Sequence, residues 1–199
     1  MNYRLAPLAT ALVLSACAST MSGPRAVAQL QSTTGNTTTG TVNFTQSGDK
    51  VLVSGEIRGL KPNTEHGFHV HEKGDCSSGD GMSAGGHFNP TGQPHGNHSD
   101  MAHHTGDLPS LKADAGGVAR FSFESKTISV GSGATDIVGK GLIVHRDPDD
   151  YKTQPTGNAG PRLACAVIKL DSSRSLASRS ALTPERFAQS ARGEQDFGA

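Results

Sequence analysis

Histidine and aspartate recur along this chain at spacings that suit metal ligation. His69 and His71 stand in GFHVHE, His87 in GGHFNP, His95 and His104 in the stretch that follows, Asp107 in HTGDL and His145 in LIVHRD. On a strand alternate side chains share a face, so His69 and His71 project together while Phe68 and Val70 point the other way. Two imidazoles on one rigid strand can share a metal, although a lone His-x-His is common by chance. His145 ends the apolar run Leu142-Ile143-Val144 and can bring a third imidazole from a neighbouring strand. His87, His95, His104 and Asp107 offer three nitrogens and a carboxylate oxygen, a set that zinc accepts as a closed tetrahedron. Copper on imidazoles with an open position can instead cycle between oxidation states. The pattern predicts a redox copper and a structural zinc in one chain.

These ligands need rigid elements behind them. The chain has 199 residues, 25 glycines and no tryptophan, which suits short strands joined by turns and long loops. Strand-like runs fall near 41–46, 50–58, 65–72, 117–124, 126–130, 141–146 and 163–170. Apolar and polar residues alternate from Val118 to Glu124, as a half-buried antiparallel strand requires. No stretch of this body has helical periodicity, so the expected class is all-β, a barrel or sandwich with antiparallel pairing. Two long loops interrupt the pattern. One, between Cys76 and Leu111, holds His87, His95, His98, His103, His104 and Asp107, and metal could order it where a core does not. The other, about 147–161, carries Asp149, Asp150 and Lys152.

The ends read differently. Arg4 precedes an apolar stretch, Leu5 to Leu14, that is too short to span a bilayer and reads as an export signal over 1–16. Leu14-Ser15-Ala16-Cys17 resembles the lipobox of bacterial lipoproteins, which implies cleavage before Cys17 and a lipid anchor on it. Residues 17–39 have no apolar periodicity and are expected to form a flexible tether. Residues 171–199 are polar and Ser- and Arg-rich, an extension expected to lack order apart from a short helix starting at Thr183-Pro184-Glu185. Without Cys17, the even pair Cys76 and Cys165 remains, suited to a disulfide in an oxidising compartment. Lys plus Arg and Asp plus Glu balance at 18 each, so no global field favours nucleic acid.

The segments GFHVHEKGDC, GGHFNP, HHTGDLP, GLIVHRDPDDY and TGNAGPRLAC, in this order over about residues 40–170, resemble the copper–zinc superoxide dismutases in their bacterial periplasmic form. That resemblance implies an eight-stranded antiparallel Greek-key barrel or sandwich. It makes His69, His71, His87 and His145 the copper ligands, and His87, His95, His104 and Asp107 the zinc ligands, His87 bridging both. It implies that Arg162 guides a small anion to the copper, and that His87 takes and returns a proton during dismutation of superoxide to dioxygen and hydrogen peroxide. Cys76 and Cys165 match the family disulfide. Asp149 matches a carboxylate that links His69 to His95, with Asp150 its rival; His103 is the rival of His104, which has the better spacing to Asp107. His66 matches a residue that buttresses the copper strand, and His98 is expected in solvent. The bacterial form implies a periplasmic, lipid-anchored enzyme that protects the cell envelope. Cys76 lies close after His71, which suits the bacterial branch, and quaternary arrangement varies there between monomer and homodimer.

Overall fold

The computed structural model describes residues 23–172. Cys17, the signal at 1–16 and nearly all of the 171–199 extension lie outside those residues. Ten strands run in chain order: β1 (Arg25–Ser32), β2 (Thr39–Ser47), β3 (Lys50–Arg58), β4 (Glu65–His66), β5 (Phe68–His71), β6 (Leu111–Lys112), β7 (Ala119–Ser125), β8 (Gly141–His145), β9 (Arg162–Val167) and β10 (Lys169–Leu170). Eight of them form one antiparallel curled sheet in the order β5-β8-β9-β1-β2-β3-β7, with β10 beside β1. The connections β3 to β5 and β7 to β8 cross from one end of this order to the other, as Greek-key strands do. Among the described residues the helical content is one 3₁₀ turn, Met82–Ala84.

The expected tether is corrected over its described part. Residues 25–32 form β1, which pairs with β2 along six residue pairs and with β9 at Gln31 and Ser32. Ala26, Ala28 and Leu30 point into the core while Arg25, Val27, Gln29 and Gln31 face outward. This is a period-of-two pattern written mainly in alanine, whose small side chain gives little hydropathy contrast. The folded body therefore starts well before residue 40. The expected strand at 126–130 is also corrected: there the backbone makes only a bridge between Ser129 and Asp136. Gly131 and Gly133, both at positive φ, break the extended run.

The curl of the sheet encloses Leu30, Phe44, Val53, Ile57, Phe68, Val70, Leu108, Leu142, Val144 and Ile168. Burial of such a core is what fixes the register of β5 against β8, where His69 faces Ile143 and His71 faces Gly141. The free edge of β5 is taken by the long loop rather than by another strand. Val70 N donates to Gly106 O at 2.9 Å and Phe88 N donates to Val70 O at 2.8 Å. Gly106 is required by that approach, since a Cβ there would lie 2.2 Å from Val70 O. Cys76 and Cys165 are joined, with Cα atoms 5.8 Å apart, against Ala84 and Ile143. The bridge spans 89 positions of sequence, and the chain-entropy model gives such a loop about 4–5 kcal/mol. It ties the start of the long loop to β9.

Candidate metal centre

Strand β5 supplies His69 and His71, both fully buried, and β8 supplies His145 at its end. The long loop returns beside β5 to supply His87, which makes a backbone bridge with His71. The rings gather closely: the centroid of His69 lies 4.0 Å from that of His87 and 5.0 Å from that of His145, and His71 and His87 are 5.1 Å apart. One ligand atom from each of His69, His71, His87 and His145 falls within 4.8 Å of the others. The same holds for His87, His95, His104 and Asp107, so His87 stands in both groups.

Which nitrogen faces inward follows from the bonds of its partner on the ring. His71 Nδ1 is bonded to Gly85 O at 2.9 Å, His145 Nδ1 to Gly160 O at 3.0 Å and His69 Nε2 to Asp149 Oδ2 at 2.7 Å. These outer bonds fix the rings and their tautomers. The opposite atoms, His69 Nδ1, His71 Nε2 and His145 Nε2, are buried without any hydrogen-bond partner, as is His87 Nε2. Four orphaned imidazole nitrogens converging on one point would be costly unless a cation filled the space between them. A transition metal that accepts imidazole fits this donor set.

The second group is built around Asp107. Its carboxylate takes His87 Nδ1 at 2.8 Å and lies 3.1 Å from His95 Nδ1 and 3.4 Å from His104 Nδ1. The His95 approach is too poorly aligned for a hydrogen bond, which leaves His95 Nδ1 among the orphaned buried atoms. Backbone N–H groups of His104 and Gly96 donate to Asp107 Oδ2 at 2.9 and 3.1 Å. Burial opposes its charge, but the histidines and these donors hold the carboxyl well below the usual range. Three Nδ1 atoms and one carboxylate match the donor chemistry of a closed zinc site.

Asp149 joins the two groups. Its Oδ2 meets His69 Nε2 and its Oδ1 meets His95 Nε2 at 2.9 Å, while Tyr151 N also donates to Oδ1. Gly157 makes room for this link, since a Cβ there would sit 1.9 Å from Asp149 Oδ1. Asp150 instead turns outward and caps Lys152 N and Thr153 N. His103 is bonded through Nδ1 to His104 O and stands outside both groups. His66 is buried between Thr64 Oγ1 and His145 O, behind the first group, and His98 is exposed. Burial pushes His71 and His145 well down and His87 down to about 4. Burial also opposes the charge on His95, but Asp107 and Asp149 outweigh it and raise that ring to about 9.

One side of the first group opens to solvent. A cleft of about 460 Å³ is lined by His71, His145, Arg162, Thr33, Asp80 and Met82, among others. Arg162 leaves β9 half-buried, with Nη1 donating to Gly81 O at 2.7 Å and Nη2 to Gly85 O at 2.6 Å. Its remaining N–H groups are available to an anion in the cleft. The arrangement can admit a small anion to one metal while sealing the other.

Comparison with known proteins decides the family. The sequence model described as copper/zinc superoxide dismutase matches residues 38–168. The chain belongs to the copper–zinc superoxide dismutases. A Cu-Zn superoxide dismutase of Paramecium bursaria Chlorella virus 1 is 45% identical over 135 residues, covering 65% of this chain and 71% of that one. The yeast Saccharomyces cerevisiae has one that is 42% identical over 154 residues, or 73% of this chain and 97% of its own. A protein of Brugia pahangi named as an extracellular Cu-Zn superoxide dismutase is 40% identical, over 73% of this chain and 75% of that one. Among solved structures, the clock protein EA4 superposes with a TM-score of 0.68 at 42% identity, covering 74% of this chain and 94% of that one. The chain is thus a superoxide dismutase whose cofactors are copper and zinc.

Three contributors to the site carry no sequence signal. Gln154 grips His95 on both sides, its Oε1 accepting from His95 N at 2.8 Å and its Nε2 donating to His95 O at 2.9 Å. The carbonyls of Gly85 and Gly160 orient His71 and His145, and backbone acceptors leave no trace in residue type.

Proposed function

We propose that His69 Nδ1, His71 Nε2, His87 Nε2 and His145 Nε2 hold the copper, and that Nδ1 of His87, His95 and His104 with Asp107 hold the zinc. The observation that carries this reading is the double membership of His87, whose two nitrogens face two different sets of donors. Bound there, copper would supply one-electron redox chemistry and zinc a fixed positive charge. The balance is two superoxide anions and two protons to dioxygen and hydrogen peroxide. His87 Nε2, buried and without a hydrogen-bond partner, is suited to hold a proton in the first half-cycle and release it to the product in the second. Arg162 binds and orients the anion beside His71 and His145. Asp149 positions His69 and His95 together.

We also assign the enzyme to the cell envelope of a bacterium, exported and held through a lipid on Cys17, where it removes superoxide arising outside the cytoplasm. The Cys76–Cys165 bridge suits an oxidising compartment, and the short step from His71 to Cys76 and the lipobox-like Leu14–Cys17 suit the bacterial form. The Brugia pahangi relative bears the word extracellular in its name. The test uses the chain from residue 18 onward, analysed first for metals and then by pulse radiolysis. One copper and one zinc per chain, with superoxide decay near the diffusion limit, is expected. Full loading of both metals without accelerated decay would mark a metal store and reject the reading.

A further inference from the structure

The charged side chains lining the cleft are two, and they have opposite signs: Arg162 and Asp80. Asp80 is exposed and precedes Gly81, whose carbonyl holds Arg162 Nη1. Gly81 lies directly on the arginine, since a Cβ there would be 3.5 Å from both Cβ and Cδ of Arg162. The αL conformation of Gly81, φ 76 and ψ 4, turns the chain at this contact. Asp80 Oδ1 accepts from Met82 N at 2.9 Å, which fixes the carboxylate at the mouth. An anion bound at Arg162 therefore meets a fixed negative charge on its way in. For a cleft that captures an anion, this is a charge of the wrong sign.

We propose that Asp80 is a specificity-determining residue that sets the charge of the anion cleft, weakening capture of every anion and excluding multivalent ones most. Coulomb repulsion scales with the charge of the incoming ion, so phosphate or sulfate meets about twice the barrier that a monoanion meets. Arg162 alone would attract all of them. With Asp80 opposite, the cleft lining has no net charge, and a small monoanion enters because its contacts with the guanidinium are short-ranged. This inference rests on the proposed copper site.

The test compares Asp80→Asn and Asp80→Glu with the parent in the full copper- and zinc-loaded protein. Asparagine keeps the oxygen that caps Met82 N and removes the charge, whereas glutamate keeps the charge. Azide is titrated as the monoanion probe, followed by the visible absorption of copper, and phosphate is titrated as competitor, both across ionic strength. Asp80→Asn is expected to bind azide roughly two- to fivefold more tightly at low salt and to gain more for phosphate, the difference closing as salt rises. Asp80→Glu should stay near the parent. Equal azide affinity of Asp80→Asn and parent at low salt would overturn the proposal, as would an equal change in Asp80→Glu, which would mark a backbone role. Superoxide decay of the parent judges the dismutase reading separately, because azide affinity does not depend on turnover.

Discussion

At the scale of single residues, the centre is specified by what lies behind its ligands as much as by the ligands. The rings of His71 and His145 are pinned through their other nitrogen to Gly85 O and Gly160 O, and those of His69 and His95 to Asp149. Asp149 is the most exacting of these, because one carboxylate fixes a ring in each metal group. Replacing it with asparagine keeps the size but supplies one acceptor oxygen where two rings need one each. Loss of such an outer partner costs about 10- to 100-fold in metal affinity. Asp149→Asn is therefore expected to weaken zinc retention by that factor in chelator competition, with Asp150→Asn close to the parent. Equal losses in both variants would contradict the link. The Asp149 and Asp150 doublet was ambiguous in sequence, since both stand at the same loop with the same side chain. The fold separates them: Asp149 turns in to His69, His95 and Tyr151 N, and Asp150 turns out to Lys152 N and Thr153 N.

At the scale of elements, the site sits where two long loops meet one sheet edge, and the sheet is built partly from a strand that the hydropathy pattern concealed. β1 stands in the middle of the sheet order, between β9 and β2. Leu30 is its largest buried side chain, 1% exposed, and the residues that follow reach the cleft: Thr33 Oγ1 donates to Arg162 O at 2.7 Å. Leu30→Ala should cost about 2–5 kcal/mol, as large-to-small changes in packed cores do, read as a lower midpoint in urea. A change under about 0.5 kcal/mol, the range of surface substitutions, would mean that β1 is not part of the core. The strong alternation at Val118–Glu124 and the apolar run before His145 were legible because large side chains mark the buried face. In β1 alanine marks it, and at 126–130 the β-branched Thr127, Ile128 and Val130 suggested a strand that the glycines beyond them end. Motif residues were the most legible part of the molecule, since ligation demands particular side chains. Gln154 was not, because a clamp on a backbone can be made by many residues, and Gly85 and Gly160 were not, because any residue has a carbonyl.

At the scale of the whole molecule, burial and the two buried carboxylates shift the site histidines in opposite directions, and stability without metal must follow pH accordingly. His87 is held down to about 4, and His71 and His145 are also pushed well down, by burial first. An unfolded histidine titrates near 6.5, so below that pH the unfolded chain binds protons that the folded chain refuses. Stability from these rings is present above about 6.5 and is lost as pH falls toward 4; the His87 shift alone corresponds to about 3 kcal/mol. His95 has the opposite sign. Raised to about 9 by Asp107 and Asp149 against the pull of burial, it contributes stability that is complete below 6.5 and fades as pH rises to 9. Asp107 and Asp149, both held low, stay charged through this window and add no slope until the pH nears the ordinary carboxylate range. The metal-depleted chain should therefore be most stable near pH 6.5 and less stable at both 4.5 and 9. Thermal unfolding of the chelated protein at those three pH values is the check. A melting temperature that rises steadily from 4.5 to 9 would mean that His95 is not charged in the empty site. If zinc takes His95 Nδ1 as proposed, the ring cannot hold its second proton there, so the loss on the alkaline side should disappear while the protein stays loaded.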